Sequence, residues 1–74
     1  MATVQNIISL IKDNEVEVDV DIYNNGEFEQ RFKLRNARRN ASLLPDKLLH
    51  AQVSSLAPYS NRLCINVDKK RKPL

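Results

Sequence analysis

Hydrophobic and charged residues alternate along residues 15–22 and again, interrupted only by Gln30, along residues 28–35. A period of two residues is the pattern of a strand with one buried face. The turn-forming sequence Asn24-Asn25-Gly26 separates the two stretches. The pattern therefore predicts one β-hairpin over residues 15–35, with apolar residues on one face and charged residues on the other.

The length of the hairpin turn decides which residues of the two strands face each other. A two-residue turn at Asn25 and Gly26 would set apolar residues opposite charged ones and mix both faces. A three-residue loop with Gly26 in the left-handed conformation avoids this mixing. We therefore expect the three-residue loop and a solvated charged face on which opposite charges neutralise each other. The expected pairs are Ile22–Phe28, Val18–Phe32 and Val16–Leu34 on the apolar face, and Asp19–Arg31, Glu17–Lys33 and Glu15–Arg35 on the charged face.

A short amphipathic helix is predicted before the hairpin. Thr3 can cap its N-terminus, and Asn14 can end it. The apolar residues that recur at helical spacing are Val4, Ile7, Ile8 and Ile11. This face is expected to pack on the apolar face of the hairpin.

The pattern of residues 42–57 fits two kinds of element. The residues that fit one helical face are Leu48, Leu49, Val53 and Leu56. Pro45 suits a first helical turn, and the content of Ala, Leu, Lys and Gln favours helix. Alternation around Ala51 over residues 48–54 suits a strand instead. We expect the helix and keep the strand as the alternative.

A last strand is predicted over residues 62–68, where Leu63, Ile65 and Val67 alternate with polar residues and with Cys64. A turn at residues 58–61 precedes it. Together the elements predict a single α+β domain over residues 1–68, with helices on one face of a three- to four-stranded antiparallel sheet. Residues 69–74 form a basic C-terminal tail.

Charge is unevenly distributed along the chain. The net charge of +3 combines six acids and three bases in residues 15–35 with eight bases and two acids in residues 36–74. A basic second half favours an anionic partner. We therefore expect nucleic-acid binding, to RNA more than to DNA, through one basic surface that follows a phosphate backbone. The residues assigned to this surface are Arg35, Arg38, Arg39, Arg62, Lys69, Lys70, Arg71 and Lys72.

A protein-interaction module is the alternative function. The small core, the charge asymmetry and an exposed hairpin edge suit an accessory protein, an inhibitor or an assembly subunit of the kind that compact viral genomes encode. Such a protein would bind a partner protein or a second copy of itself.

Several other functions are disfavoured. One cysteine, Cys64, and one histidine, His50, supply neither an intrachain disulfide nor a full zinc ligand set. No nucleophile lies next to a base in any known motif, so we expect a non-enzymatic protein without a cofactor or metal. No apolar run approaches the roughly 20 residues that span a membrane. We expect a cytoplasmic protein, or a nuclear one if the basic tail acts as an import signal in a eukaryotic host.

Overall fold

The computed structural model describes residues 2–13 and 15–70. In it, short helices pack on one face of a four-stranded sheet with strand order β2-β1-β4-β3. The strands are β1 (Glu17–Asn24), β2 (Glu27–Leu34), β3 (Ser55–Pro58) and β4 (Arg62–Asp68). The helices are α1 (Val4–Leu10), α2 (Ala37–Asn40), followed by a 3₁₀ turn (Ala41–Leu43), and α3 (Asp46–Leu49). The predicted α+β class is confirmed.

The sheet is mixed and not wholly antiparallel. β1 pairs with β2 and β3 pairs with β4 in antiparallel fashion, whereas β1 and β4 run parallel. Parallel neighbours need a long crossover connection. The chain between β2 and β3 supplies it by passing through the helix layer, so β4 enters beside β1 in the same direction. Nothing in the local pattern of either strand indicates this pairing.

The hairpin turn has two residues, so the predicted three-residue loop is wrong. Asn25 and Gly26 adopt positive φ values of 53° and 87°, which suit a tight hairpin turn. Asp68 at the end of β4 supports this turn, since its carboxylate accepts the N–H groups of Asn25 and Gly26, at 2.8 Å each. A carboxylate from the far end of the sequence therefore supports the tight turn.

A β-bulge at Glu29 restores the separation of apolar and charged faces. The strand pairing shifts between Tyr23–Phe28 and Ile22–Gln30, so no residue of β1 lies opposite Glu29 in the register. Beyond the bulge, apolar residues face apolar residues, as predicted, but each is displaced by two positions from the expected partner. The observed pairs are Val18–Leu34, Val20–Phe32, Asp19–Lys33 and Asp21–Arg31.

The bulge also moves Phe28 to the charged face. Phe28 was expected to face Ile22 in the core, but it lies opposite Tyr23 and is 53% exposed. The rings of Phe28 and Tyr23 meet edge to face, with centroids 5.7 Å apart. An extra residue in one strand reverses the alternation on its far side, which explains the error.

Helix α1 begins as predicted and ends earlier. Thr3 Oγ1 accepts the Asn6 N–H at 3.2 Å, and Asn6 Oδ1 accepts the Thr3 N–H at 3.0 Å, a capping box. The helix ends at Leu10 because Ile11 turns into extended backbone. Asn14, expected at the helix end, lies outside the described residues.

Residues 42–57 contain both a helix and a strand. The helix covers only Asp46–Leu49 and follows Pro45, while the strand Ser55–Pro58 begins later than the alternative had placed it. Ser54 donates its backbone N–H to Asn66 O at 2.8 Å, so pairing with β4 draws this part of the chain into the sheet. The core lies between this sheet and the helices. Its fully buried members include Val4, Val18, Val20 and Ile65.

Candidate functional site

No helix of the described residues covers the charged face of the sheet, and a row of acids on β1 runs along the middle of this face. Parallel pairing sets β4 on one side of this row, and antiparallel pairing sets β2 on the other. The acids of the row are Glu17, Asp19 and Asp21, and the bases that flank it are Arg31 and Lys33 on β2, Arg35 directly after β2, and Arg62 on β4. Neutralisation of the acids by the basic strand of the hairpin is as predicted, whereas neutralisation by Arg62 from the β4 side was not predicted.

Asp21 is the most deeply buried charge of this face. Its side chain is only 2% exposed, and Arg31 binds it with two nearly parallel bonds, Nε–Oδ1 at 2.8 Å and Nη2–Oδ2 at 3.0 Å. These bonds outweigh the cost of burial and lower the pKa of Asp21. The expectation that the acids would be solvated is wrong for Asp21 and Asp19, because arginine side chains cover them.

Cys64 lies beside Asp21 on the neighbouring strand. Its Sγ lies 3.3 Å from Asp21 Oδ2 and 3.4 Å from Asn66 Oδ1, so its single S–H has two acceptors within reach. Burial, followed by the nearby Asp21 carboxylate, raises the pKa of the thiol to about 11. A thiol in this state is a poor nucleophile, and a carboxyl whose pKa is lowered is a poor general acid. The cluster is suited to holding Arg31 in place.

Arg62 contacts the acid row from the β4 side. Its Nη2 lies 3.0 Å from Glu17 Oε2, and its Nη1 lies 3.4 Å from Asp19 Oδ2. Arg35 approaches the same Glu17 at 3.6 Å while 90% of its side chain is exposed. Arg62 is thus bound by two carboxylates, whereas Arg35 is weakly held.

A hollow of about 610 Å³ opens on this face. Its lining includes Asp19, Asp21 and Cys64 of the strands and residues 59–61 of the β3–β4 turn. Tyr59 in that turn is 65% exposed. The hollow is polar and open to solvent, so it can admit a polar or charged group.

The predicted basic residues fall into two groups at opposite ends of the sheet. Arg35 and Arg62 meet at Glu17, where β2 ends and β4 begins, and α2 with Arg38 and Arg39 follows directly after β2. Lys69 follows the other end of β4, about 20 Å away at the usual rise per strand residue. The one continuous basic surface that was expected is therefore divided.

Of the two described lysines after β4, Lys69 is bound by the hairpin and Lys70 by Asp68 at the end of β4. Lys69 donates its backbone N–H to Tyr23 O at 2.9 Å, and its Nζ lies 2.6 Å from the bulged Glu29. Lys70 donates its backbone N–H to Asp68 Oδ1 at 3.0 Å. Arg71 and Lys72, also predicted as site residues, lie outside the described part of the chain.

Arg38 and Arg39 lie in the short helix α2, whose backbone is fixed by contacts with the rest of the domain. Asn36 takes a positive φ of 51°, and Ala37 is buried in the core at 3% exposure. Asn40 Nδ2 donates to Arg35 O at 2.6 Å and closes the segment. Arg38 and Arg39 therefore project from a turn whose backbone is fixed by burial and hydrogen bonding.

A row of cations on the charged face of the hairpin is predicted from the sequence, but as one that the acids neutralise. Arg31, Lys33 and Arg35 share the charged face at alternate positions, and we name this row the β2 strip. Only Arg35 had been assigned to the binding surface, since the other two were treated as partners of acids. The alternation itself was the available signal. Phe28, which the bulge places on this face, could not be found that way.

A metal site and a membrane-spanning helix are absent from the described residues. No group of three or more His, Cys, Asp or Glu side chains within residues 2–13 and 15–70 could hold a metal ion. His50 is exposed and lies 3.0 Å from the carbonyl oxygen of Asp46. No helix in the described ranges is both long enough and apolar enough to cross a membrane.

Comparison of the chain with protein-family models, with curated proteins and with solved structures finds no match. The site is therefore interpreted from its own geometry.

Proposed function

We propose that this protein binds nucleic acid, RNA in preference to DNA, through the β2 strip and the adjoining α2 turn. The observation that carries the proposal is the run of cations that follows the edge of the sheet and continues into α2. Its members are Arg31, Lys33, Arg35, Arg38 and Arg39. A phosphate backbone bound along this run would meet positive charge at successive positions.

Three of these cations have no acidic partner in the described residues. Neither an ion pair nor a side-chain hydrogen bond to Lys33, Arg38 or Arg39 occurs within residues 2–13 and 15–70. Their charge is available to an external anion. Arg62 and Lys69, by contrast, are engaged by carboxylates at 3.0 Å and 2.6 Å, so they contribute less to the proposed surface.

Arg31 is held in a conformation that leaves donors available. Asp21 accepts from Nε and from Nη2, while a guanidinium carries five N–H groups. The bound carboxylate fixes the plane of the guanidinium, so little side-chain entropy is lost when the remaining donors bind a phosphate. Asp21 therefore acts as a positioning residue for Arg31.

An exposed aromatic ring at the end of the β2 strip favours a single strand. Phe28 is half exposed, and Arg31 Cζ lies 5.6 Å from the centre of its ring. Bases of single-stranded RNA stack on aromatic rings and on guanidinium planes, whereas bases within a duplex are not available for stacking. The pair of Phe28 and Arg31 offers both kinds of surface at one place.

The test is binding of nuclease-treated protein to labelled single-stranded RNA, single-stranded DNA and duplex DNA over a salt series. Wild type should bind the RNA most tightly, with affinity that falls steeply as salt rises. Replacing Arg38 and Arg39 by Ala should reduce the salt slope by about 1.4, the value for two single-strand phosphate contacts. Lys12→Ala removes an equally exposed cation outside the proposed surface and should change nothing. Absence of RNA binding at low salt would overturn the proposal.

Binding of a protein at the outer edge of β2 is the second candidate function. β2 is an edge strand of eight residues and exposes nearly all of its side chains. Its bulge and alternating charges are features that protect an edge against strand addition, so this function has less support. Deletion of Glu29 removes the bulge. If that deletion, and not the loss of Arg38 and Arg39, changes self-association in light scattering, the edge is the binding surface.

A further inference from the structure

The helix layer leaves part of the core face of the sheet uncovered by residues 2–13 and 15–70. The α-helices have seven, four and four residues, whereas β1, β2 and β4 have seven or eight residues each. Between α3 and the sheet an apolar groove of about 390 Å³ remains. Its floor is formed by Ile22, Phe32 and Val67, and α3 with its flanking residues forms its wall. This groove lies on the face of the sheet opposite the β2 strip.

Gln30 lines the groove, in the part of the core face that no described helix covers. Between the bulge and the end of β2, Gln30 is the one polar residue at a core-facing position, and it pairs with Ile22 at the groove. A strand position that faced a closed core would carry an apolar side chain. The interruption of the apolar pattern at Gln30 thus coincides with the open part of the core face.

Two lysines border the groove. Lys47 on α3 has no acidic partner among the described residues, and Lys69 stands at the end of β4, where Glu29 neutralises it. The groove therefore combines an apolar floor with a net positive rim. Its charge complements an apolar ligand that carries acids along its side.

We propose that this groove is a docking site for an amphipathic helix of a partner protein, with an apolar stripe bordered by Glu or Asp. A two-layer domain covers a sheet with helices, and the groove occupies the position in which a further helix would complete the layer. An apolar stripe at i, i+3, i+4 and i+7 is the usual way for a helix to fill such a groove. The acids flanking the stripe would face Lys47. This inference is independent of nucleic-acid binding, since none of the five cations of the proposed nucleic-acid surface lines the groove.

The first experiment uses a designed peptide of about 15 residues, long enough to form a helix once bound. It carries Leu at the stripe positions and Glu on both flanks, and a control peptide replaces every Glu by Lys. Binding is followed by fluorescence anisotropy of the labelled peptides and by amide chemical shifts of the full chain. We expect the acidic peptide to bind, with shifts concentrated on the groove residues, and the basic peptide to bind more weakly.

Substitutions at Lys47 and Gln30 test the location of the site, with Lys12→Glu as the control. Lys47→Glu should weaken binding of the acidic peptide about two- to fivefold, the range expected for a surface ion pair, while Lys12→Glu, which alters a lysine outside the groove, should have no effect. Gln30→Glu should weaken binding, and Gln30→Leu should strengthen it. Gln30 is exposed, so neither change threatens folding. Opposite effects at one position distinguish docking in the groove from a general effect of charge.

Several results would overturn the proposal. Equal binding of both peptides would remove the role of the lysine rim, and shifts confined to the β2 strip would place the site on the other face. Binding that appears only in a chain ending at Lys70 would make residues 71–74 the occupant. A dimer in light scattering that Lys47→Glu dissociates would make a second copy the occupant. No binding of either peptide would refute the inference outright.

Discussion

On the helix-covered face of the sheet the fully buried residues are aliphatic, among them Val18, Val20 and Ile65, whereas on the charged face burial falls on Asp19 and Asp21. Both faces belong to the same strands, and β1 contributes to both at alternate positions. The aliphatic side chains are stabilised by removal from water and need no particular partner atom. The carboxylates lose hydration on burial and need partners placed within hydrogen-bonding distance. Arg31 and Arg62 supply those partners.

The difference teaches that the two faces should respond differently to substitution. A residue of the aliphatic face contributes in proportion to the apolar surface that it buries. A residue of the charged face contributes according to whether its partner is buried or exposed. The following predictions test that comparison, beginning with the largest expected effect.

Removal of packing from the aliphatic face should have the largest effect. Ile65 is fully buried at the centre of β4, so Ile65→Ala should lower the free energy of unfolding by about 2–5 kcal/mol. Urea denaturation followed by circular dichroism measures this change. Leu43, which is 73% exposed, is the matched control, and Leu43→Ala should stay within about 0.5 kcal/mol of wild type. Similar losses at both positions would contradict the assigned core.

Removal of the buried charge should have an intermediate effect. Asp21→Asn keeps the shape of the side chain but takes one acceptor from Arg31, so we expect a loss of about 1–3 kcal/mol in the same assay. Asp46→Asn changes a carboxylate that is 92% exposed and should be nearly neutral. If the two variants have equal stability, Asp21 does not contribute through its burial.

Acid should weaken the charged face selectively. The pKa of Asp21 is lowered in the folded protein, chiefly by its hydrogen bonds to Arg31. The unfolded chain therefore binds the proton more readily, and the contribution of Asp21 is present above its unfolded pKa of 3.8 and is lost as pH falls through the folded pKa. Wild type should lose more stability than Asp21→Asn between pH 7 and pH 3, as urea titrations at both values would measure. Parallel losses would contradict this assignment.

Removal of the exposed pair should have the smallest effect. Arg35 lies 3.6 Å from Glu17 and is almost wholly exposed, so Arg35→Gln should leave the denaturation midpoint unchanged. The same variant should still weaken RNA binding if the β2 strip binds phosphate. Arg35→Lys, which keeps the charge, should retain most of the binding. A large loss of stability in Arg35→Gln would show that exposure does not govern the charged face.

Local alternation predicted most of the strands. It located β1, β2 and β4 within two residues of their observed ends and assigned the apolar and charged faces of β1 correctly. It failed at Phe28, because the bulge at Glu29 reverses the alternation there. It also treated Asp19 and Asp21 as solvated, since the sequence does not show which arginine covers which carboxylate. The assignment of basic residues to a binding surface therefore stays a prediction.

The helix cap at Thr3, the period-two strands and the uneven charge were determined by the sequence itself, because each depends on residues only a few positions apart. Tertiary structure decided the features that join distant residues. Asp68 accepts the N–H of Gly26, which lies 42 positions earlier in the chain, and so supports the two-residue turn. Parallel pairing of β1 and β4 brings Arg62 to Glu17. Both contacts depend on the crossover through the helix layer, which places β4 beside β1. The same crossover divides the basic residues between two ends of the sheet and leaves the apolar groove beside α3.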